Sequence, residues 1–228
     1  MSPRGVAIPD VRERLFAAAE RVLSREGPAG LTNRSVTEEA GCAKGLLYNH
    51  FADLDDFVAQ LVLDRFERVA AEVAPLADRA GQGEVRENLA RAALVLLGAD
   101  GPVVAAAAVS RSGVADRVRR AWRDGAPGPG TVQDALAGYL AAEQRLGRLS
   151  PAADGPVIAL ALVGTVHHLL MHGHAEPADH PSLIRRLVAA LVPPFGAGGG
   201  TGSEAGDEAG DGGRDGGGGG TAVPPGAE

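Results

Sequence analysis

The stretch LTNRSVTEEAGCAKGLLYNHF, Leu31 to Phe51, decides the fold. It contains two short helical patterns joined at Ala40-Gly41-Cys42, and the second is too polar on one face for ordinary core. Thr32 can serve as an N-cap, its hydroxyl accepting an orphan backbone N–H, while Val36 and Ala40 fall on one face at i, i+4 spacing. Gly41 tolerates the left-handed backbone that lets a chain leave one helix and soon begin another, the geometry of a helix-turn-helix. The second helix is predicted from about Lys44 to Phe51. Its Leu47 and Phe51 share a face that packs on Val36 and Ala40, leaving Lys44, Gly45, Tyr48 and Asn49 pointing outward.

That outward face suits the major groove of DNA. Lys44 brings positive charge near the helix start, Gly45 permits close backbone approach, and Asn49 can donate and accept toward a base edge. Tyr48 and His50 can bind phosphates, and Thr32, Asn33 and Arg34 at the start of the preceding helix complete the DNA-binding set. Of the 22 basic residues Lys44 alone is lysine, which points to a specific contact. The competing reading of the same face is a solvated helix surface.

On these residues, with the helix expected from Asp10 to Glu26 in front of them, the chain resembles the N-terminal domain of TetR-type transcriptional regulators. The family pattern AG-x-x-x-G-x-x-Y-x-HF is met by Ala40, Gly41, Gly45, Tyr48, His50 and Phe51. Ala43 stands where the family usually has a capping serine, Leu46 where it often has a phosphate-binding threonine, and Leu54 where a lysine commonly follows. The departures imply fewer backbone contacts, for which Arg34 with Arg12 or Arg14 can compensate, since phosphate contacts position a protein without reading sequence.

The rest of the chain reads as helical. Apolar residues make up 45% of its 228 positions, ample for a core, and alanine and leucine dominate over aromatics without strand-like alternation. Val11, Leu15, Ala18, Ala19, Val22 and Leu23 give the first helix an apolar stripe that ends at Gly27-Pro28. A connector helix follows from Leu54 to about Ala74, with Phe57, Val58, Leu61, Val62 and Phe66 on its stripe, Arg65 and Arg68 opposite, and Pro75 stopping it. Further helices are expected at 85–98, 102–110, 114–123, 131–146, 151–174 and 182–192, separated by Gly, Pro and Asp breakers. We divide the chain into a DNA-binding domain at 1–53, an effector-binding and dimerisation domain at 54–194, and a disordered tail at 195–228. Glycine fills 15 of the 34 tail positions with acids interspersed, so the tail cannot bury enough surface to offset its ordering entropy.

The net charge of −7 argues against DNA binding until its distribution is read. The tail carries six acids against Arg214, while residues 1–60 hold seven basic and nine acidic side chains. Local placement must then supply affinity, and Glu13, Glu20, Glu38, Glu39, Asp55 and Asp56 are expected to face away from the phosphates. Cys42, the one cysteine, reads as a small buried hydrophobe or, less simply, a redox-sensing thiol. The N-terminus lacks an apolar signal core, no run of about 18 apolar residues occurs, and cytoplasmic residence with no membrane contact is expected.

The run from Val157 to Met171 is apolar nearly all round and needs cover on every side. With the stripe Leu183, Ile184, Leu187, Val188 and Leu191 it resembles the last two helices of TetR-type proteins, which implies a homodimer through a four-helix bundle; the alternative is an intramolecular core. Dimerisation would place two recognition helices about 34 Å apart for a two-fold operator.

Histidines 167, 168, 172 and 174 cluster at the end of this run. His168 and His172 have a spacing that can hold Zn²⁺, but Glu176 lies past the helix end, so a polar lining of a pocket or interface is the reading adopted and no metal or cofactor is assigned. No G-x-S-x-G elbow, H-E-x-x-H pair or phosphate loop occurs, and an enzyme is not expected. The function implied is a ligand-responsive, DNA-binding regulator, most often a repressor, released by a small apolar effector lined by Leu94, Leu97, Trp122, Tyr139, His168 and Met171. The alternative is a helical dimeric interaction module with weak or lost DNA binding.

Overall fold

The computed structural model describes residues 11–172 and 179–194. The expectations for the tail at 195–228, for His174 and for Glu176 concern residues outside that set. The architecture is all-α: α1 Val11–Gly30, α2 Asn33–Glu39, α3 Leu46–His50, α4 Leu54–Val73, α5 Val85–Leu97, α6 Gly101–Val109, α7 Val114–Arg123, α8 Pro129–Arg145, α9 Gly155–His172 and α10 His180–Leu191, with a 3₁₀ segment at Ala74–Arg79. No strand occurs among the described residues.

Local chemistry sets the boundaries. Gly27, at φ 69°, and Pro28 interrupt α1 one turn before its end, as the sequence implies. Thr32 and Ser35 cap α2 reciprocally: the Thr32 hydroxyl accepts the Ser35 N–H at 3.1 Å, and the Ser35 hydroxyl accepts the Thr32 N–H at 3.0 Å. At the other end Cys42 N–H reaches the Thr37 carbonyl and Gly41 N–H that of Glu38, a Schellman closure that needs Gly41 at φ 63°. Asp53 caps α4, and Pro75 opens the 3₁₀ segment that ends it. Helix α9 begins at Gly155 instead of Pro151, because Gln144 donates to the Ser150 and Ala153 carbonyls and so holds 150–154 as a turn. Asp154 then accepts the Val157 N–H at the helix start.

Two apolar cores share α4. The first joins Leu15, Val22, Val36, Leu47, Phe51, Phe57 and Leu61 with Val104 and Ala107 of α6 and Val114 and Val118 of α7. The core beneath the helix-turn-helix is therefore completed by helices beyond residue 53. Phe51 meets Phe57 edge-on at 4.9 Å, with Phe16 5.6 Å from each. The second core joins the end of α4 with α5, α8, α9 and α10 around Leu89, Leu136, Tyr139, Leu162, Val166 and Ile184.

One expectation for α4 needs correction. Arg65, placed opposite the apolar stripe of α4, is 5% exposed. It donates to the Leu96 and Leu97 carbonyls at 2.9 and 2.6 Å, satisfying acceptors that the C-terminus of α5 leaves open. Within the single chain α9 keeps an open face, on which Val157 and Leu160 are 55% and 56% exposed and Met171 is 37% exposed. At 18 residues and a mean hydropathy of 1.4, α9 is long and apolar enough to cross a membrane. Its inward face packs on α5, α6 and α8, as the core helix of a globular bundle does.

Candidate nucleic-acid interface and ligand cavity

Helix α3 presents the polar ridge. Leu47 is fully buried while Lys44, Gly45, Tyr48, Asn49 and His50 are exposed, Tyr48 at 58%. The regular helix starts at Leu46, two residues later than the sequence predicts. Lys44 and Gly45 form the turn that leads in: Leu46 N–H donates to the Ala43 carbonyl at 2.9 Å, and Gly45 already has helical angles. Asn33 ties α2 to this turn by donating to the Lys44 carbonyl at 3.2 Å. The Thr32 hydroxyl serves the α2 cap, and Arg34 is exposed and paired with Glu38 at 2.8 Å. Cys42 is half-buried against the first core.

The two arginines expected to supplement phosphate contacts are engaged within the head. Arg12 bonds Gln60 and lies over the Phe51 ring at 4.8 Å, and Arg14 donates to the Ala40 carbonyl at 2.8 Å. Several acids of the head are matched by arginines. Glu39 is held by Arg21 at 2.6 Å and Arg25 at 3.0 Å, which keep its carboxyl below the usual range, and Glu20 meets Arg68 at 2.5 Å. Among the described residues no ion pair engages Lys44. The net negative head thus carries an unpaired cation on its exposed ridge, where charge placement for a polyanion matters.

An apolar cavity of about 260 Å³ lies among α4, α6, α7 and α9. Val62, Phe66, Val104, Val118, Trp122, Leu170 and Met171 supply apolar wall, and its charged or polar borders are Arg65, Arg119 and His167. Trp122 stands edge-on to Phe66 at 5.3 Å. Of the six residues singled out from sequence, the structure brings Trp122 and Met171 to this cavity. Leu94 borders a separate open cleft, and Leu97 is core. Tyr139 is fully buried, accepts a hydrogen bond from Asn88 at 2.9 Å, and has its ionisation pushed up to about 12 by burial. His168 faces outward and stacks on His172 at 4.6 Å; its neighbour His167, about 100° around the helix, borders the cavity instead. Arg65 and His167 were not singled out as cavity residues. Arg65 carried a signal, since it continues the i, i+4 column of Leu61 and Val69, both buried. Among the described residues no group of three or more His, Cys, Asp or Glu is placed to hold a metal.

Two arginines join the helices of the cavity to the head. Arg117 of α7 chelates Asp53, the cap of α4, at 2.5 and 2.8 Å. Arg111, in the turn before α7, meets Asp55 at 3.0 Å and the Leu31 carbonyl at 3.2 Å. Gly113 makes room, since a Cβ there would stand 2.6 Å from the Asp55 carboxylate.

Residues 15–61 match the family of bacterial regulatory proteins described as the tetR family. No curated protein sequence matches the chain. Among solved structures it is similar to FadR of Bacillus subtilis in complex with stearoyl-CoA, at TM-score 0.58 and 16% identity over 79% of this chain and 97% of that one. It is also similar to the reduced form of Escherichia coli NemR, at TM-score 0.59 and 15% identity over 82% and 100%, respectively. A protein from Mesorhizobium loti assigned to the TetR-family regulators gives TM-score 0.60 and 17% identity over 79% and 94%. At such identities the likeness is one of fold. Residues 15–61 thus match the TetR family model, and the described chain shares the fold of solved TetR-family structures.

Proposed function

We propose that the protein is a cytoplasmic, ligand-responsive DNA-binding transcriptional regulator, acting as a repressor on a palindromic operator. The observation that carries this reading is the pairing of an exposed ridge, Lys44 to His50, with an apolar cavity whose own helices grip the head through Arg111 and Arg117. In this reading the ridge enters the major groove, with Asn49 toward a base edge and Lys44, Tyr48 and His50 toward phosphates. Thr32, Asn33 and Arg34 approach the backbone at the start of α2.

The homodimer forms through α9 and α10. The exposed face of α9, with Val157, Leu160, Gly164, His168 and Met171 at helical spacing, supports this, since burying it against a second copy removes apolar surface from water. A small apolar effector in the cavity biases α4, α6 and α7, and the two head clamps pass that bias to the recognition helices. The effector must prefer the conformation that does not bind DNA, because equal affinity for both shifts nothing. That the Bacillus subtilis neighbour holds stearoyl-CoA supports a ligand-holding role for this fold.

Selection of bound sequences from a random duplex pool by the full-length protein tests the proposal. Enrichment of a two-fold related sequence whose affinity falls steeply with salt is expected. A helical interaction module without operator binding would enrich nothing.

A further inference from the structure

Resting on the reading of the α4–α6–α7–α9 cavity as the effector site, its chemistry narrows the effector. No acidic residue borders it, although the chain holds 29 acids against 22 bases; the charged or titratable borders are Arg65, Arg119 and His167. Arg119 is exposed and pairs with Asp116 at 2.6 Å on the surface, which leaves Arg65, between this cavity and the neighbouring cleft, as the buried cationic group at its border.

Arg65 is 5% exposed and firmly seated. Its Nη2 donates to the Leu96 and Leu97 carbonyls beside Gly98 and Gly101, where a Cβ on either glycine would come within 2.7 Å of that nitrogen. Its Nε–H is buried and has no hydrogen-bond acceptor. Asp100 is its ion-pair partner, 3.6 Å from Nε and so beyond hydrogen-bond reach, and lies in the neighbouring open cleft, which Arg65 borders as well as the cavity. A buried guanidinium so incompletely satisfied is costly unless something completes it.

We infer that the effector is an amphiphile with an anionic head, a medium-length alkyl or aryl carboxylate, whose apolar body fills the Trp122–Phe66 cavity and whose charge is matched by Arg65. A neutral molecule of the same shape fills the apolar part and leaves Arg65 as it was. A cation of the same shape meets like charge.

Trp122 is the only tryptophan and borders the cavity, so its fluorescence reports occupancy in the full-length protein. Decanoate, 1-decanol and decyltrimethylammonium are titrated below their micelle concentrations at neutral pH. Decanoate is expected to bind roughly 10- to 100-fold tighter than 1-decanol, the scale of a hydrogen bond to a charged group, with the ammonium weakest. Arg65→Met abolishes the preference and Arg65→Lys, which keeps the charge, retains part of it; if Arg65→Met does not fold, the wild-type series and Arg65→Lys decide. Equal affinity for acid and alcohol, or a preference for the cation, overturns the inference and leaves the cavity as an effector site. No binding of any of the three overturns the cavity reading and the inference with it.

Discussion

Arg117 closes on both carboxylate oxygens of Asp53, Nη1 at 2.5 Å from Oδ1 and Nη2 at 2.8 Å from Oδ2. Asp53 also accepts the Asp56 N–H at 2.6 Å as the cap of α4, so one carboxylate fastens the connector helix to a wall of the cavity. These bonds, those of Arg117 first, hold the Asp53 carboxyl well below the usual carboxylate range. A lowered folded-state value means that the stabilisation is complete above the ordinary value of 3.8 and is lost as pH falls below it. Urea unfolding of wild type and Arg117→Gln is therefore expected to differ at neutral pH and to converge in acid below pH 3.8. A gap that stays constant into acid would show that the pair is not the source. The same variant should release DNA less readily when effector is added, because the clamp is one of two arginine ties that reinforce the apolar packing of α6 and α7 against the head.

The ridge makes a separate prediction. Lys44→Ala is expected to weaken operator binding for all sequences and to reduce the steepness of the log affinity against log salt plot by about 1, as loss of one phosphate neutralisation does. Asn49→Ala should instead relax base preference at one operator position at a cost of about 1–3 kcal/mol. Unchanged salt dependence in the first, or intact selectivity in the second, removes that residue from the interface.

The head was legible from sequence because its signals are local: a capping threonine, a glycine that must turn left-handed, and apolar residues at i, i+4 spacing. Helix ends elsewhere were legible within a few residues for the same reason. The cavity was legible only in part, because its walls come from four helices whose meeting is a tertiary fact. Selection by size found Trp122 and Met171 but also Tyr139, whose hydroxyl is committed to Asn88 in the second core. His168 and His167 are adjacent and both exposed, and which of them borders the cavity depends on the roll of α9 against α6 and α8, which apolar periodicity cannot fix on a helix apolar nearly all round. Arg65 looked polar by type although it continues the column of Leu61 and Val69, and the open carbonyls at the end of α5 are what satisfy it there.

Gly41 offers a clean test of the turn. Its φ is 63°, yet a Cβ there would meet no heavy atom within 4 Å. Gly41→Ala therefore carries a backbone penalty and no clash, expected to be about 1–2 kcal/mol. The urea midpoint should fall with little change in slope. An unchanged midpoint would mean that the turn relaxes to another conformation.

The uncovered face of α9 predicts the oligomeric state. Leu160, 56% exposed in the single chain, is central on that face. Leu160→Asp is expected to turn a dimer into a monomer in sedimentation equilibrium and to weaken operator binding sharply while leaving helix content unchanged. A variant that remains dimeric would place the contact elsewhere.

The most direct measurement is fluorescence anisotropy of the full-length protein on a labelled duplex recovered by selection, titrated at several salt concentrations beside a scrambled duplex of equal length. The account predicts saturable binding of two chains per duplex, at least about 1,000-fold tighter than to the scrambled sequence at physiological salt, and weakening as salt rises. Equal affinity for both duplexes, or no binding to either at low salt, would contradict it.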